Sequence, residues 1–389
     1  MSWPMIPLGE LVDIKGGGTP DKSNSEYWNG EIPWASVKDF KKNTLDSTLD
    51  SITLLGAKNS ATSVIPAGNI IIPTRMALGK VAINTIDLAI NQDLKALSIK
   101  DNNVVDRDYL FRWLQSQSSL IESEGKGATV KGITLPFLKG LNVPIPPLNE
   151  QKRIAAILDK ADGILQKREQ AIKLADVFLC ATFLEMFGDP VENPKGWNVK
   201  PLADQIVHAN NGISRRRKED TNEGDIVLRL QDVHYSGIAF DKELNRIKLV
   251  DKEKQIARIE YDDLLLIRVN GNPNYVGRTA VFKSYIEPVY HNDHLIRIKL
   301  DSEYQSDFLC YLINSPFSRK LISQQIKTSA GQHTISQDGI FKLVFYRPPV
   351  ELQEKFINIK NKIESIFYRK DKHEDLFSSI SNKLFHSIK

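Results

Sequence analysis

A chain of 389 residues with 52 Lys+Arg against 48 Asp+Glu carries a formal charge of +4. That balance is too small to argue for or against nucleic acid, so any basic face has to come from segregated charge. Two distant cysteines, Cys180 and Cys310, exclude a disulfide framework and a thiolate metal cluster. No apolar run reaches 18 residues, and the start, MSWPMIPLGELVDIK, lacks a basic region followed by an apolar core. The expectation is a cytoplasmic protein with no membrane contact.

In chain order, WPMIPLGELV (3–12) leads into GGGTPDKSNSEYWNGEIPW (16–34). Glycine and proline there rule out a long helix. Trp28 and Trp34 in such a loop either pin it to its domain, the reading favoured here, or touch a ligand surface. EIPWASVKDF (31–40) and IPAGNIIIPTRMALGKVAINT (65–85) read as strands, the latter as strand, basic residue, Gly turn and strand. AINQDLKALSI (89–99) follows, and DRDYLFRWLQSQSSLIESEG (106–125) is helical. After Pro146-Pro147, apolar residues recur at helical spacing: Ile154, Ile157, Leu158, Ala161, Ile164 and Leu165, then Ile172, Ala175, Phe178, Leu179 and Phe183. A helix from about 150 to 186 is predicted, on the order of 55 Å long. FGDPVENPKGW (187–197) ends it.

The chain then says the same thing again. WNVKPLADQIV (197–207) answers the opening segment, DIVLRLQDVHYSG (225–237) answers 31–40, and IEYDDLLLIRVNGNPNYVGRTAVFK (259–283) answers 65–85. VYHNDHLIRIKL (289–300) and the helical 305–325 follow, then Pro348-Pro349 with Gln353 at the offset that Gln151 has from its own proline pair. An ordered series of this kind indicates internal duplication, hence two copies of one job. A second long helix is predicted over about 353–388, and two such helices in one chain are natural mates for an antiparallel coiled coil. The predicted domains are 1–148, a helix over 149–187, 188–349, and a second helix over 350–389.

Several stretches mimic catalytic motifs. NPNY (272–275) lacks the second proline of the base-flipping loop of amino-methyltransferases, and neither half offers a Gly-rich strand–turn–helix for a methyl donor; a hairpin turn is expected. GGGTPDK is followed by no Gly-Lys-Ser/Thr. His291 and His294 flank Asp293, but a strand places them on opposite faces and further metal ligands are missing. The sequence therefore reads as a binding protein, with no cofactor or metal of its own.

With its layout and motifs, the chain resembles the specificity subunits of Type I restriction-modification systems. The carriers are Pro7-Leu8-Gly9 after Trp3, GGGTP followed by YWNGEIPW, IIPTRMALGKVAI followed by AINQDLKAL, and GITLPFLKGLNVPIPPLNEQKRIAAILD (132–159), the most specific. The resemblance covers essentially the whole chain. The second half departs from it: NNGISRRRKEDTNEGD lacks the tryptophan pair, and Val350-Glu351-Leu352 stands where the first half has Leu148-Asn149-Glu150.

The resemblance implies an α+β fold: two pseudo-symmetric mixed α/β target recognition domains, separated by two long helices paired as an antiparallel coiled coil. Each domain would read one half of a bipartite sequence in double-stranded DNA. The helices would set the spacer and dock two methyltransferase subunits, with two restriction subunits completing the enzyme. S-adenosylmethionine, ATP and Mg2+ would sit on those partners, as would the endonuclease and adenine methyltransferase activities. Two rival readings are a methyltransferase or nuclease fused to its reader, and a non-enzymatic coiled-coil adaptor with two protein-binding domains.

Candidate DNA contacts in the first half are Lys15, Thr19, Lys22, Lys38, Arg75 and Lys80. In the second half they are Asn210, Asn211, Arg215, Arg216, Arg217, Arg229, Gln231, Arg268, Asn270, Asn272, Arg278 and Asn292. Arg, Asn and Gln can read base edges, whereas Lys mainly meets phosphate. A solvated surface loop is the plain alternative for the Arg215–Arg217 run.

Overall fold

The computed structural model describes residues 3–127, 131–214, 223–240, 243–367 and 374–386. They form two units, one from residues 1–169 with 370–389 and one from 170–369.

In the first unit a five-stranded sheet runs in the order Val12–Gly16, Leu94–Ile99, Ile70–Pro73, Ala82–Asn84 and Thr44–Leu45. A four-stranded sheet, in the order Asp50–Ile52, Trp28–Ala35, Leu88–Ile90 and Val64–Ile65, packs on one of its faces. The run Ile70-Ile71-Ile72 shows why the sequence is continuously apolar here. Ile71 enters the core between the sheets, with Leu45, Ile65, Ile90 and Ala96. Ile70 and Ile72 point the other way, into a core with Tyr109, Leu110, Trp113 and Leu114 of helix Arg107–Ser116. A strand covered on both faces loses its alternation.

The second unit repeats this plan. Its four-stranded sheet has the order Ile206–Asn211, Leu295–Leu300, Leu264–Ile267 and Thr279–Val281. Leu264 and Leu266 face one core, Leu265 and Ile267 the other. The strands match pair for pair: Lys15 lies opposite Ala96, and Asn210 opposite Arg297. A bulge between Ile206 and His208 adds one residue, so the offset between the halves steps up there.

The helix predicted over 150–186 spans Leu148–Phe187. Gly163 does not break it, and a Cβ there would meet nothing within 4 Å, so that face is open to water. Its first part shares a core with Phe385, which packs edge-on against Tyr109 at 5.7 Å, together with Ile154 and Leu158. Its last turns pack Phe183 and Phe187 on Phe356, at 5.4 and 5.8 Å between ring centres. The partner number falls from 385 to 356 as the helix number rises, the order that antiparallel pairing requires. The second helical region comprises Val350–Phe367 and Glu374–His386, and the residues between them lie outside the described ones. Two carboxylates on the first part of the long helix, Asp159 and Asp162, accept hydrogen bonds from the buried Arg112 guanidinium at 2.7 and 3.1 Å, fixing helix Arg107–Ser116 against it.

The Gln151/Gln353 coincidence has a structural cause. Fully buried Gln151 accepts from Asp106 N at 2.7 Å and donates to Val104 O and Pro146 O at 2.9 and 2.8 Å. Gln353, equally buried, accepts from Gln305 N at 2.9 Å and donates to Glu303 O and Pro348 O at 3.2 and 2.8 Å. One amide thus satisfies three backbone groups where sheet, helix and proline pair converge, groups that would be costly to leave unpaired.

Candidate nucleic-acid interface

The glycine-rich loop is held by contacts that only glycine permits. A Cβ on Gly17 would lie 1.9 Å from Ile90 O, and one on Gly212 would lie 2.0 Å from His291 O. The next amide binds that carbonyl in each half: Gly18 N donates to Ile90 O at 3.0 Å and Ile213 N to His291 O at 3.1 Å. In the first unit the two tryptophans complete the anchorage. Trp28 Nε1 donates to Asp21 O and Trp34 Nε1 to Gly18 O, both at 3.0 Å, and the rings meet edge to face at 5.1 Å. Trp34 pairs with Ala89 across parallel strands, whereas the matching pair in the second unit is Val227 with Tyr290. The bulky partner has changed strand: Tyr290 stands where the first unit has Ala89.

Beside the anchored loop lies a cleft of ≈ 530 Å³ lined by Thr19, Lys22, Lys38, Trp28, Trp34, Met76, Asn91 and Gln92 among others. Three predicted contacts, Thr19, Lys22 and Lys38, therefore converge. Thr19 Oγ1 donates to Gln92 Oε1, and Lys22 and Lys38 are exposed. Asn91 holds its own turn by accepting from Asp93 N at 3.1 Å. Arg75 is exposed next to Met76, and Lys15 is exposed on its strand outside the cleft lining. Near Arg75, Lys95 has its ammonium pKa lowered, chiefly by burial, with Asp93 opposing and Arg75 adding to the shift. Lys80 points elsewhere: its Nζ donates to Phe40 O at 3.0 Å in a separate hollow shared with Arg112 and Asp162.

Hydrogen bonds map this cleft onto the second unit. Ser36 N and Arg229 N donate to Asp39 Oδ2 and Asp232 Oδ2 at 2.8 and 2.7 Å. Asn91 N and Asn292 N donate to Ala35 O and Leu228 O at 3.0 and 3.1 Å. Ser36 thus corresponds to Arg229, Lys38 to Gln231, and Asn91 to Asn292. Thr74 N and Arg268 N, donating to Asp93 O at 2.7 Å and His294 O at 2.8 Å, correspond likewise, which sets Met76 against Asn270. Gly79 and Gly277, with φ of +80° and +83°, precede Lys80 and Arg278.

Of the second-half candidates, Gln231 is exposed, while several amides are already engaged. Asn210 accepts from Arg297 Nε at 3.1 Å and donates to Ile256 O at 2.8 Å. Asn211 Oδ1 accepts from Gln337 Nε2 at 3.2 Å. Asn270 and Asn272 accept from Asn272 N and Asn274 N at 2.8 and 3.0 Å, forming the turn expected at NPNY. Asn292 Oδ1 accepts from His294 N at 3.2 Å. Arg229 Nε donates to Asp232 at 3.4 Å, and Arg268 reaches Asp293 O at 3.3 Å. The Arg278 guanidinium lies between the rings of Tyr235 and Tyr275, 4.0 and 4.3 Å from their centres. Arg215, Arg216 and Arg217 lie outside the described residues.

The histidine pair is separated by a turn and not by the single strand expected there: His291 ends strand Val289–His291, and His294 lies in the turn that precedes Leu295–Leu300. His294 is half exposed, whereas His291 is buried, with Nδ1 2.8 Å from Ala257 O. Burial pushes the His291 imidazole down to about 4. Among the described residues no group of three or more His, Cys, Asp or Glu side chains could hold a metal ion, and no helix is long and apolar enough to cross a membrane.

Sequence reading missed Ser36, Met76, Asn91 and Gln92. Asn91 and Gln92 stand in AINQDLKAL, whose counterpart VYHNDHLIRIKL carries the predicted contact Asn292.

This arrangement agrees with the comparisons. Residues 2–174 match the family model of the Type I restriction modification DNA specificity domain. The StySPI specificity subunit of Salmonella potsdam is 31% identical over 284 residues, covering 69% of this chain and 60% of that protein. The EcoR124I/EcoR124II specificity subunit of Escherichia coli is 40% identical over 164 residues, 40% of each chain. The matches thus span 60% and 40% of the length of these two relatives. The crystal structure of a Type I restriction-modification S subunit from M. genitalium superposes with a TM-score of 0.61 at 17% identity, covering 100% of this chain and 97% of that one, a likeness of fold. The chain belongs to the specificity-subunit family of Type I restriction-modification systems.

Proposed function

We propose that the chain is the DNA-reading, non-catalytic subunit of a Type I restriction-modification enzyme, each unit reading one half of a bipartite duplex target. The long helices would set the spacing and dock two methyltransferase subunits, and two restriction subunits would complete the assembly. S-adenosylmethionine, ATP and Mg2+ belong to those partners. The supporting observation is the duplicated cleft frame, in which the same backbone bonds carry different side chains: Lys38 against Gln231, Met76 against Asn270. A constant frame with a variable lining suits two readers of different short sequences, and a tethered adaptor has no need of it.

The test is methylation mapping with the chain and its methyltransferase subunits assembled. Lys38→Ala is expected to weaken recognition at one half-site only, and Gln231→Ala to relax it at the other, the latter by about tenfold or more for a lost base contact. Changes at both half-sites from one substitution, or at neither from both, would overturn the reading.

A further inference from the structure

Met76 lies at the lip of the cleft with 59% of its surface exposed and φ of +65°. The left-handed region suits Gly or Asn and costs a β-carbon-bearing residue on the order of 1 kcal/mol. The backbone asks for no methionine there. It is set by Met76 N donating to Lys131 O at 3.1 Å and by the bridge between Arg75 and Gly132. The corresponding position of the second unit holds Asn270. The lining is mixed: Thr19, Lys22, Lys38, Asn91 and Gln92 stand beside the two indoles, and Asp50 and Asp93 add carboxylates. A flexible apolar side chain is therefore held out, at a conformational cost, among groups suited to phosphates and base edges.

We infer that Met76 is a specificity-determining residue whose side chain packs on the C5-methyl group of a thymine in the half-site read by the first unit. That methyl is the one apolar feature the major groove offers, and it marks a T·A pair. The thioether is polarizable and adaptable enough to cover it. Asn270, at the matching place, carries an amide, so the two units discriminate differently at this position. The inference rests on the DNA-reading function proposed above.

The experiment uses the assembled methyltransferase and its mapped target, with uracil replacing each thymine of the half-site in turn. Burying one methyl group corresponds to about a fourfold change in affinity. Wild-type protein is expected to lose about fourfold at one thymine, and Met76→Ala to show no such loss. Met76→Gly, which suits the positive φ, is expected to unfold no earlier than wild type while also losing the uracil sensitivity. A merely structural methionine would behave in the opposite way. Uracil sensitivity that persists in both variants, or a half-site with no A·T pair, overturns the assignment. An assembly with no sequence preference at all overturns the DNA-reading function instead, so the two failures are distinguishable.

Discussion

The two units differ most where they face the cleft and least where they hold it. In the first, two indoles pin the loop and Met76, Lys38 and Lys22 line the opening. In the second, the loop-pinning indoles are gone, Gln231 and Asn270 take the matching places, and the amides of Asn210, Asn272 and Asn292 serve turns and the part-buried Arg297. Beneath this, both units keep the same glycine under the same carbonyl, the same aspartate cap and the same buried glutamine. Backbone bonds set the frame and tolerate few side chains, whereas exposed lining positions such as Lys38 and Gln231 differ freely between the units.

The severest way to break the equivalence is at the glycines. Gly17→Ala and Gly212→Ala each force a methyl to within 2.0 Å of a carbonyl oxygen. Each is expected to cost its own unit about 3 kcal/mol, lowering that unit's calorimetric transition by roughly 10 °C. If one is tolerated and the other is not, the two loops are not equivalent.

The glutamines give the next test. Gln151→Ala and Gln353→Ala each strand three buried backbone partners, for about 2 kcal/mol apiece, measurable as separate shifts of the two transitions. Matched costs are expected because the bonds match.

Acid should separate the units. The first has Ile90 where the second has His291. Above pH 6.5 the imidazole is neutral in both folded and unfolded chains and contributes nothing. Below it, the unfolded chain binds a proton that the folded unit, with its value near 4, refuses. Stability is then lost as pH falls, by about 2 kcal/mol at pH 5, and in the second unit. Hydrogen exchange at pH 7 and pH 5 should show this loss in wild type and its removal in His291→Gln, which keeps a neutral donor for Ala257 O. An equal acid loss in both proteins would exclude His291 as its source.

The duplication, the long helix and the glutamine pair were legible because each leaves a local or periodic trace: proline pairs, helical spacing, a fixed offset. The layering was less so. Runs such as Ile70-Ile71-Ile72 and Leu264-Leu265-Leu266 announce burial on both faces without saying which residue meets which layer. Side-chain direction is equally invisible in the candidate site residues. Lys80 and Lys38 are both basic and lie in neighbouring motifs, yet one donates to Phe40 O in a separate hollow and the other faces the cleft. Asn210 looked like a base reader, but its amide is bonded to Arg297 and Ile256, partners far away in sequence.

The discontinuous make-up of the first unit bears on how the protein is born. Its core includes Phe385 beside Tyr109, Ile154 and Leu158, with Ile380 and Leu384 packed around them. The second unit is one uninterrupted stretch, 170–369. A ribosome adding 5–20 residues per second leaves the early part of the first unit waiting roughly 10 to 40 s after residue 169 for Phe385 to emerge. The unit that is second in sequence therefore has all its residues first. The first-made unit spends that interval with an unfilled apolar seam along helix Arg107–Ser116, the period when a growing chain most needs shielding from its neighbours.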